Sequence, residues 1–320
     1  MSQATESPSQ PASGVKLSVV VRTVGGGRHL RRCLDQLLPQ LSSDVEALVP
    51  YDPTLPDIDS IRTNPRYASI RFVNMGDVVA EARGGQQNIT AHELYDRRTT
   101  AGMLASRGEI IGQVEDYGAP AGDWVEQVLS AHRLPHGVIG GSVEHAGQGA
   151  WNWAVFLLDF GRFQKPLAEG PSAYLTDVNV SYKRAALESV RSLWERRYNE
   201  VTVHWALSRR NVVLWQRPAI EVWQDRGQLR MGRLLMERYC WGRLFGSVRA
   251  RESSGWNRLL FALGSPAIPW VLVARISRKV LRGRRHVGAL LRCFPHLVLL
   301  ATVWCCGEFV GNLTGSESAR

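Results

Sequence analysis

The segment Glu109-Ile-Ile-Gly-Gln-Val-Glu-Asp-Tyr117 decides the fold. Residues 109–114 are mostly apolar and follow Gly108, which indicates a buried strand. Two carboxylates, Glu115 and Asp116, come directly after it. In open α/β sheets, ligands bind at the carboxyl ends of the strands. The segment therefore predicts an α/β sheet with a charged ligand site at this edge.

On the N-terminal side, strands and helices alternate. Residues 16–21 form a β-branched run that is typical of a buried parallel strand. An apolar stripe at helical spacing follows, and residues 46–49 read as the next strand. The residues of the stripe are Leu30, Cys33, Leu34, Leu37, Leu38 and Leu41. A strand, a helix and a strand at this spacing predict a right-handed βαβ unit and a mostly parallel sheet flanked by helices.

On the C-terminal side, the pattern continues to about residue 225. We predict a strand at 138–143, an irregular aromatic stretch at 144–170, a helix at 200–209, and strands at 212–215 and 220–223. The predicted organisation is a disordered N-terminus over 1–14, a catalytic domain over 15–225 and a tail over 226–320. The lead-in is rich in Ser, Pro and Gln and lacks the features of a secretory signal.

The positive charge of the chain belongs to one segment. The 320 residues include 39 Lys+Arg and 29 Asp+Glu, for a net charge of +10. Residues 226–292 contain 15 of the bases and two acids, so the remainder is close to neutral. A nucleic-acid-coating protein spreads its bases over the binding domain, and aromatic residues do not interleave with these bases. We therefore expect no nucleic-acid partner.

The tail combines this charge with short apolar runs. Residues 259–274 and 293–307 are uncharged runs of 16 and 15 residues, shorter than the roughly 20 that a spanning helix needs. Between them, residues 275–285 contain six bases and no acid. This pattern predicts a helical segment that lies in the interface of an anionic membrane. A helical subdomain packed on the catalytic domain and a transmembrane hairpin remain alternatives.

The five cysteines and the glycine-rich turn exclude other classes. Cys33, Cys240, Cys293, Cys305 and Cys306 lack metal-ligand spacing, so a zinc site or disulfide framework is not expected and a reducing compartment fits. In the turn at 25–27, Leu30 stands where the dinucleotide fingerprint needs its third glycine. A hydride-transferring enzyme is therefore disfavoured. The turn is either a plain connection or backbone that approaches a nucleotide.

The two carboxylates predict a metal. Glu115 and Asp116 would repel each other in a crevice, and a divalent cation such as Mg²⁺ would offset that repulsion. Mg²⁺ uses one or two carboxylates together with phosphate oxygens of the substrate. Arg97 and Arg98, one helix earlier, are candidates to pair with phosphates. The alternative interpretation is that the acidic pair lies on the solvated surface and binds no metal. Arg97 and Arg98 would likewise belong to a solvated helix face.

Several segments, in the right order, resemble the family 2 glycosyltransferases, which have the GT-A fold. They cover about residues 16–225 and part of the tail. The segments are Leu17-Ser-Val-Val-Val-Arg-Thr23, Leu48-Val-Pro-Tyr-Asp52, 105–120 with Asp123-Trp124, Leu175-Thr-Asp-Val-Asn179 with Tyr182-Lys-Arg184, and Pro295, Trp304, Gly307-Glu308 and Gly311 in the tail.

The resemblance implies a role for each matching residue. Thr23 and Asp52 would contact the nucleotide, and Asp116 and Glu115 would hold Mg²⁺ or Mn²⁺. Asp177 and Asn179 would lie on the acceptor side. In the aromatic stretch, Trp151 and Trp153 could stack on a sugar, although large aromatic side chains also build cores. The implied nucleotide-binding residues are Thr23, Asp52, Arg97, Arg98, Glu115 and Asp116, and the implied metal ligands are Asp116 and Glu115. The implied acceptor-side residues are Asp177, Asn179, Trp151 and Trp153, and the implied general base is Glu200.

The implied protein is a bacterial, membrane-associated glycosyltransferase. It would use a nucleotide-sugar donor, a divalent metal and a lipid-linked or polysaccharide acceptor at the cytoplasmic face of the inner membrane, in a single inverting displacement. Three positions depart from the family: Arg22 replaces a proline, Tyr117 replaces an acid of the metal segment, and Val201 replaces the aspartate next to the base. Either Glu200 is the base, or the protein has lost activity and binds sugar nucleotides or acts as a membrane scaffold.

Overall fold

The computed structural model describes residues 14–84, 89–251 and 255–315. The predicted disordered N-terminus, apart from Gly14, lies outside these residues. The chain forms two compact units. The first unit contains the described residues up to Val143 together with Leu167–Trp223, and the second contains Glu144–Pro166 together with the described residues from Gln224 onward. A functional boundary at residue 225 stays a prediction.

The strands all belong to one sheet. They are β1 (Leu17–Arg22), β2 (Val45–Tyr51), β3 (Ile70–Asn74), β4 (Ile110–Glu115), β5 (Gly118–Pro120), β6 (Val138–His145), β7 (Gly170–Pro171), β8 (Asn179–Lys183) and β9 (Leu214–Gln224).

Helices occur between the strands along the chain, and the described residues from 231 onward are almost entirely helical. They are α1 (Gly27–Leu37), α2 (Ile58–Arg62), α3 (Val78–Gly84), α4 (Ala91–Ala105), α5 (Trp124–Ala131), α6 (Gly149–Phe160), α7 (Arg184–Glu188), α8 (Glu200–Arg209), α9 (Met231–Arg251), α10 (Gly255–Gly264), α11 (Ile268–Gly283) and α12 (Val287–Thr314).

The strand order explains where the site forms. The order is β3-β2-β1-β4-β8-β6-β9-β5, with β7 beside β9. Strands β1, β2, β3 and β4 pair in parallel, and β8 pairs antiparallel to β4 and β6. Arg22, the last residue of β1, is in register with Glu115, the last residue of β4. The predicted α/β fold class is confirmed, and the carboxylates lie beside the end of β1.

The predicted helical stripe packs into the core. Leu30, Cys33, Leu34 and Leu37 of α1 are fully buried and cluster with Leu17, Val19 and Val21 of β1. A second cluster, with Met103, Ile111 and Val180 among its members, lies around α4, β4 and β8. Burial of this apolar surface is the main favourable contribution to folding. The two clusters hold the strand ends in place.

Two predicted segments differ from the structure. The stretch predicted to be irregular contains helix α6, and the spacing of Trp153, Phe156 and Phe160 places these residues on one helical face. The two strands predicted at 212–215 and 220–223 form a single strand, β9. The apolar alternation is interrupted at Arg217 and Pro218, but the backbone stays extended there.

In the second unit, α9 and α12 touch backbone to backbone. Gly242 and Gly246 of α9 lie against the backbone of α12 at Trp304, Glu308 and Asn312. Gly307 and Gly311 of α12 lie against the backbone of α9 at Tyr239, Arg243 and Ser247. A Cβ atom on Gly307 would lie 2.0 Å from the carbonyl oxygen of Tyr239. Both pairs have the small-xxx-small spacing that lets helices approach closely. The sequence indicated an apolar run at 293–307, within α12, and the contact between the two helices was not predicted.

Helix α12 is longer than its apolar run indicated. It has 28 residues, includes Pro295, and among the described residues is the one helix long and apolar enough to cross a membrane. Arg292 and Glu308 extend the helix beyond the uncharged run at both ends, which is why counting uncharged residues underestimated it. About two fifths of its most apolar window is buried within the protein. By itself this helix is weak evidence for membrane association.

Candidate functional site

The turn after β1 is held by Asp116. The buried Asp116 carboxylate accepts hydrogen bonds from the backbone N–H groups of Val24 at 3.1 Å, Gly25 at 3.0 Å and Gly26 at 2.7 Å. Burial raises the pKa of the Asp116 carboxyl to about 6, although these hydrogen bonds act in the opposite direction. Asp116 therefore joins the end of β4 to the glycine-rich turn.

The glycines of this turn are required by its geometry. Gly26 has φ +58°, a left-handed conformation that favours glycine, and a Cβ on it would lie 2.7 Å from the carbonyl oxygen of Pro56. A Cβ on Gly25 would lie 2.8 Å from the ring of Tyr117. The Tyr117 ring also makes an edge contact with His29, with centroids 4.6 Å apart. Tyr117 therefore covers the turn at the position where the resembling family has an acid.

A buried ion pair lies beside the turn. Arg98 Nε donates to Asp52 Oδ2 at 2.6 Å, Nη1 donates to the Thr23 carbonyl at 3.0 Å, and Nη2 donates to Thr54 Oγ1 at 3.1 Å. Burial acts to raise the pKa of Asp52, but Arg98 and Thr54 outweigh it, and the pKa is lowered. Asp52 is thus ionised, and its charge is balanced within the protein.

The predicted nucleotide residues divide into two groups. Thr23 is buried and donates to the Pro50 carbonyl at 3.0 Å, so it belongs to the network of Asp52 and Arg98. Arg97 pairs with Glu93, one turn earlier on α4, at 2.6 Å. The structure brings Thr23, Asp52 and Arg98 to the turn that Asp116 holds, whereas Arg97 has a different partner.

A second buried cation, Arg22, organises the other side of the β1 and β4 ends. Its Nη1 pairs with the carboxylate of Asp177 and donates to the Asp177 carbonyl at 3.2 Å. Its Nε donates to Thr99 Oγ1 at 2.9 Å, and its guanidinium lies over the rings of Tyr95 and Tyr198, 4.1 and 5.2 Å from their centroids. Its Nη2 is buried without a hydrogen-bond partner among the described residues.

Three carboxylates surround this arginine. Tyr95 Oη donates to Glu115 Oε1 at 3.1 Å, which links Glu115 to the cation through the tyrosine. Asp177 pairs with Arg22 directly. Glu200 is half-buried at the start of α8, and it interacts electrostatically with both Arg22 and Asp177. We name Arg22, Tyr95, Glu115, Asp177 and Glu200 the arginine cluster.

The carboxyl group of Glu200 has a raised pKa. Burial, and then the negative charge of Asp177, raise the pKa of Glu200 to about 8, and Arg22 opposes them. The Asn199 side chain caps α8 by accepting from the Thr202 N–H at 3.1 Å, which fixes where the helix begins. A carboxyl group with a pKa near neutrality is suited to accepting a proton during a reaction.

Sequence reasoning missed Arg22, Tyr95 and Thr99 as site residues. Arg22 was recognised only as a replacement for proline. Tyr95 and Thr99 are one turn apart on α4 and therefore share a face, and Thr99 Oγ1 also donates to the Tyr95 carbonyl at 2.9 Å. A polar pair at this spacing in a helix that packs on the sheet was the available signal.

The hydrogen bonds of the Asn179 side chain indicate a structural role. Its Oδ1 accepts from Trp124 Nε1 at 2.9 Å, and its Nδ2 donates to the carbonyls of Ser142 at 2.8 Å and Ile220 at 3.0 Å. Asn179 is fully buried, and these contacts join β8 to its neighbours. The acceptor-side role of Asn179 stays a prediction, as does that of Asp177.

Trp151 and Trp153 lie on α6, in the second unit. Trp153 stacks on His145 with centroids 3.8 Å apart, and Trp151 makes an edge contact with His296 at 4.3 Å. Both tryptophans are half-buried. These contacts show a packing role within the unit, and stacking on an acceptor sugar stays a prediction.

The donor set fits a metal that arrives with a phosphate ligand. No group of three potential metal-binding side chains occurs within the described ranges. Three of the backbone donors contact Asp116 Oδ2, whereas Oδ1 receives only a long contact of 3.3 Å from Gly25. One carboxylate oxygen thus keeps acceptor capacity. Proteins commonly bind Mg²⁺ through one or two carboxylates together with phosphate oxygens of the substrate.

Two solved structures have similar folds. The mannosyltransferase PcManGT from Pyrobaculum calidifontis, in complex with GDP-Man and Mn²⁺, is 11% identical, with a TM-score of 0.53 over 98% of this chain and 91% of that chain. TarS residues 1–349 from S. aureus, in complex with UDP-GlcNAc, is 12% identical, with a TM-score of 0.51 over 92% and 90%. No protein-family model and no curated protein matches the chain. At these identities the likeness shows the fold, and the predicted glycosyltransferase fold class is confirmed.

Proposed function

We propose that the protein is a family 2 glycosyltransferase that moves a sugar from a nucleotide-sugar donor to a lipid-linked or polysaccharide acceptor. The observation that carries the proposal is Glu200, a carboxyl group of raised pKa beside the buried Arg22–Asp177 pair. It belongs to a unit in which β1 and β4 end side by side. The two similar solved structures are complexes with the nucleotide sugars GDP-Man and UDP-GlcNAc. The proposal extends that property to this chain.

Glu200 acts as the general base in this proposal. An acceptor hydroxyl has a pKa far above 7, so its proton must leave as the oxygen attacks. The carboxylate of Glu200 takes that proton while the new glycosidic C–O bond forms at the anomeric carbon. The bond to the phosphate oxygen breaks at the same time, and the nucleoside diphosphate leaves with inversion. Arg22 holds Asp177 and limits the charge around the base.

The turn after β1 is the proposed donor site. Thr23, Asp52 and Arg98 fix its shape, and the glycines let the backbone approach a diphosphate closely. Asp116, with Glu115, would hold Mg²⁺ or Mn²⁺ together with the phosphates. When bound, such an ion would neutralise the charge that develops on the departing diphosphate.

Membrane association is part of the proposal. Residues 226–320 would hold the protein on the cytoplasmic face of a bacterial inner membrane, where envelope polysaccharides are assembled. The long apolar α12 and the excess of bases in 226–292 support it. A peripheral arrangement is proposed, with a transmembrane hairpin as the alternative.

Donor turnover by the full-length protein tests the function. The assay measures release of nucleoside diphosphate from a panel of nucleotide sugars, with Mg²⁺, Mn²⁺ or EDTA. We expect Glu200→Gln to lower the rate about 10²–10⁴-fold, because loss of a general base typically has this effect. The matched control is Glu195→Gln, which removes an exposed carboxylate paired with Arg191. Equal rates for the two variants would contradict the role of Glu200.

The pH profile of the same assay is a separate test. A base must be deprotonated to act, and the pKa of Glu200 is raised to about 8. We therefore expect the rate to increase with pH through about 8. A rate that is already constant above pH 6 would show that another group takes the proton.

A sugar-nucleotide-binding protein without turnover is the second candidate. The position of Tyr117 over the glycine-rich turn favours it, because an acidic residue is absent there. It predicts nucleotide binding by calorimetry and no diphosphate release with any donor. Asp116→Asn would then still weaken binding, because Asp116 holds the turn. Unchanged binding in that variant would contradict the donor site in both candidates.

A further inference from the structure

A basic cavity opens beside α11 in the second unit. Its volume is about 400 Å³. The residues that line it are Pro166, Arg275, Arg278, Lys279, Arg282 and Gly283. Four of the six carry a positive charge, and no acidic residue occurs in the sequence between positions 253 and 307.

Three of these arginines have no acidic partner. Arg275, Arg278 and Arg282 are exposed, and no ion pair joins any of them to another described residue. Other arginines of the same unit are paired with carboxylates: Arg226 with Glu237, Arg238 with Asp159 and Glu237, Arg249 with Glu308, and Arg285 with Glu144. Four other arginines of the unit are thus neutralised by carboxylates, whereas three guanidinium groups without such partners line the cavity.

Lys279 adds a half-buried charge to the same wall. Its Nζ donates to the Arg162 carbonyl at 2.5 Å, which leaves donors for a ligand, since an ammonium group has three. Burial lowers the pKa of Lys279 to about 8, although Glu144 acts in the opposite direction. An anion in the cavity would stabilise the charged form. The cavity thus offers fork-shaped guanidinium donors and an ammonium group, the usual ligands of phosphate.

An exposed apolar stripe runs beside the basic one. Arg275, Arg278 and Arg282 share one side of α11 by their spacing, and Trp270, Ala274 and Leu281 share the adjacent side. Trp270 is 66% exposed and Leu281 is 55% exposed. A helix that presents Trp and Leu next to a row of bases is typical of a membrane interface, where aromatic rings lie at the headgroup level. The stripe favours a lipid over a free phosphate.

We propose that this cavity binds the phosphate of an anionic phospholipid, with Arg275, Arg278 and Arg282 as its ligands and Trp270 inserted at the interface. The site deepens the membrane association proposed above and rests on it, but it is independent of sugar transfer. The cavity would place the membrane contact at a defined position on α11. The alternative is a general electrostatic attraction between the membrane and all the bases of the tail.

Vesicle co-sedimentation of the full-length protein tests the site. The variant R275Q/R278Q/R282Q is compared with R230Q/R233Q/R292Q, which removes the same charge from exposed positions of the same unit. On vesicles of phosphatidylcholine and phosphatidylglycerol, we expect the cavity variant to bind on the order of 100-fold more weakly, from about fivefold per base. The control variant should lose less than about tenfold. Equal losses in the two variants would overturn the site.

Further measurements separate the ligand sources. The wild-type protein should bind poorly to pure phosphatidylcholine, and any heat that it gives with inorganic pyrophosphate should be the same in R275Q/R278Q/R282Q. Pyrophosphate binding that needs the three arginines, without vesicle binding, would assign a free phosphate and overturn the lipid. If the triple variant unfolds, Arg278→Gln and Trp270→Gln each test the same prediction, and unchanged vesicle binding in both would overturn it. Donor turnover without vesicles should stay unchanged in all of them, so a failed transferase assay leaves this test intact.

Discussion

The two units of the chain bury charge in different ways. In the first unit, two carboxylates next to strand ends pair with arginines: the buried Asp52 with Arg98, and the partly buried Asp177 with Arg22. In the second unit, α9 and α12 approach so closely that glycines form their contact, and the buried Glu308 reaches Arg249 across it. In the first unit the charges are balanced by pairs of side chains at strand ends. In the second unit a side-chain pair joins two helices that can approach each other only because glycines have no side chain.

The difference indicates what each unit can do. In the first unit, burial leaves Glu200 and Asp116 with raised pKa values, which is useful where protons move. The second unit pairs its buried Arg238 and Glu308 internally and leaves three arginines exposed on α11. We therefore assign chemistry to the first unit and attachment to the second. The predictions below test this contrast.

The largest effect is expected from Arg98→Met. The substitution leaves the Asp52 carboxylate buried without its cation, which typically costs about 3–5 kcal/mol. Arg97→Met is the matched control, because it removes a neighbouring arginine whose partly exposed i,i+4 pair with Glu93 contributes about 0.3–0.5 kcal/mol. Urea unfolding measures both. A loss below about 1 kcal/mol for Arg98→Met would show that Asp52 is protonated or solvated without its partner.

Gly307→Ala tests the helix contact of the second unit. The added Cβ would lie 2.0 Å from the Tyr239 carbonyl oxygen and 2.9 Å from the Arg243 backbone nitrogen, so the two helices must separate. Overpacking of this kind typically costs about 1–3 kcal/mol. Thermal unfolding of the full chain measures it. An unchanged melting temperature would mean that α9 and α12 do not pack through these glycines.

Much of the first unit was predictable from sequence, and the reason is periodicity. The stripe from Leu30 to Leu37 and the apolar run of β4 depend on local spacing, so α1 and β4 formed where expected. The pairing of Arg22 with Asp177 joins residues 155 positions apart, and no local pattern contains it. Asp116 shows the same limit: its position at a strand end was predicted, but its three backbone donors depend on how the turn folds back.

The glycine spacing that makes the helix contact of the second unit possible is visible in the sequence, but it was not used to predict that contact. Gly242 and Gly246, and Gly307 and Gly311, each stand four residues apart, which places each pair on one helix face. What the sequence could not supply was the partner of each pair. Close approach is a property of two helices together, and it becomes visible only when both are placed.

Glu200→Gln is expected to change how stability depends on pH. The pKa of Glu200 is raised from 4.5 to about 8, so its contribution to stability is fully present below about pH 4.5 and is lost progressively as the pH rises from there to about 8. Between pH 7 and 9 the wild-type protein should therefore lose about 1 kcal/mol that the variant keeps. Urea unfolding at the two pH values measures the difference, with Glu195→Gln as the exposed control. Parallel losses in wild type and Glu200→Gln would place the ionisation elsewhere.

The smallest effect, with the opposite sign, is expected from Gly288→Ala. Gly288 lies in the first turn of α12, on the same helix as Gly307, but a Cβ there has no atom within 4 Å. Its backbone is not among those with positive φ, so alanine fits without strain and restricts the unfolded chain. We expect a gain of about 0.5 kcal/mol in the free energy of unfolding. The same substitution thus stabilises one position and destabilises the other, and only the neighbouring helix differs between them. If both variants gain stability equally, helix propensity rather than the glycine contact controls the stability of α12.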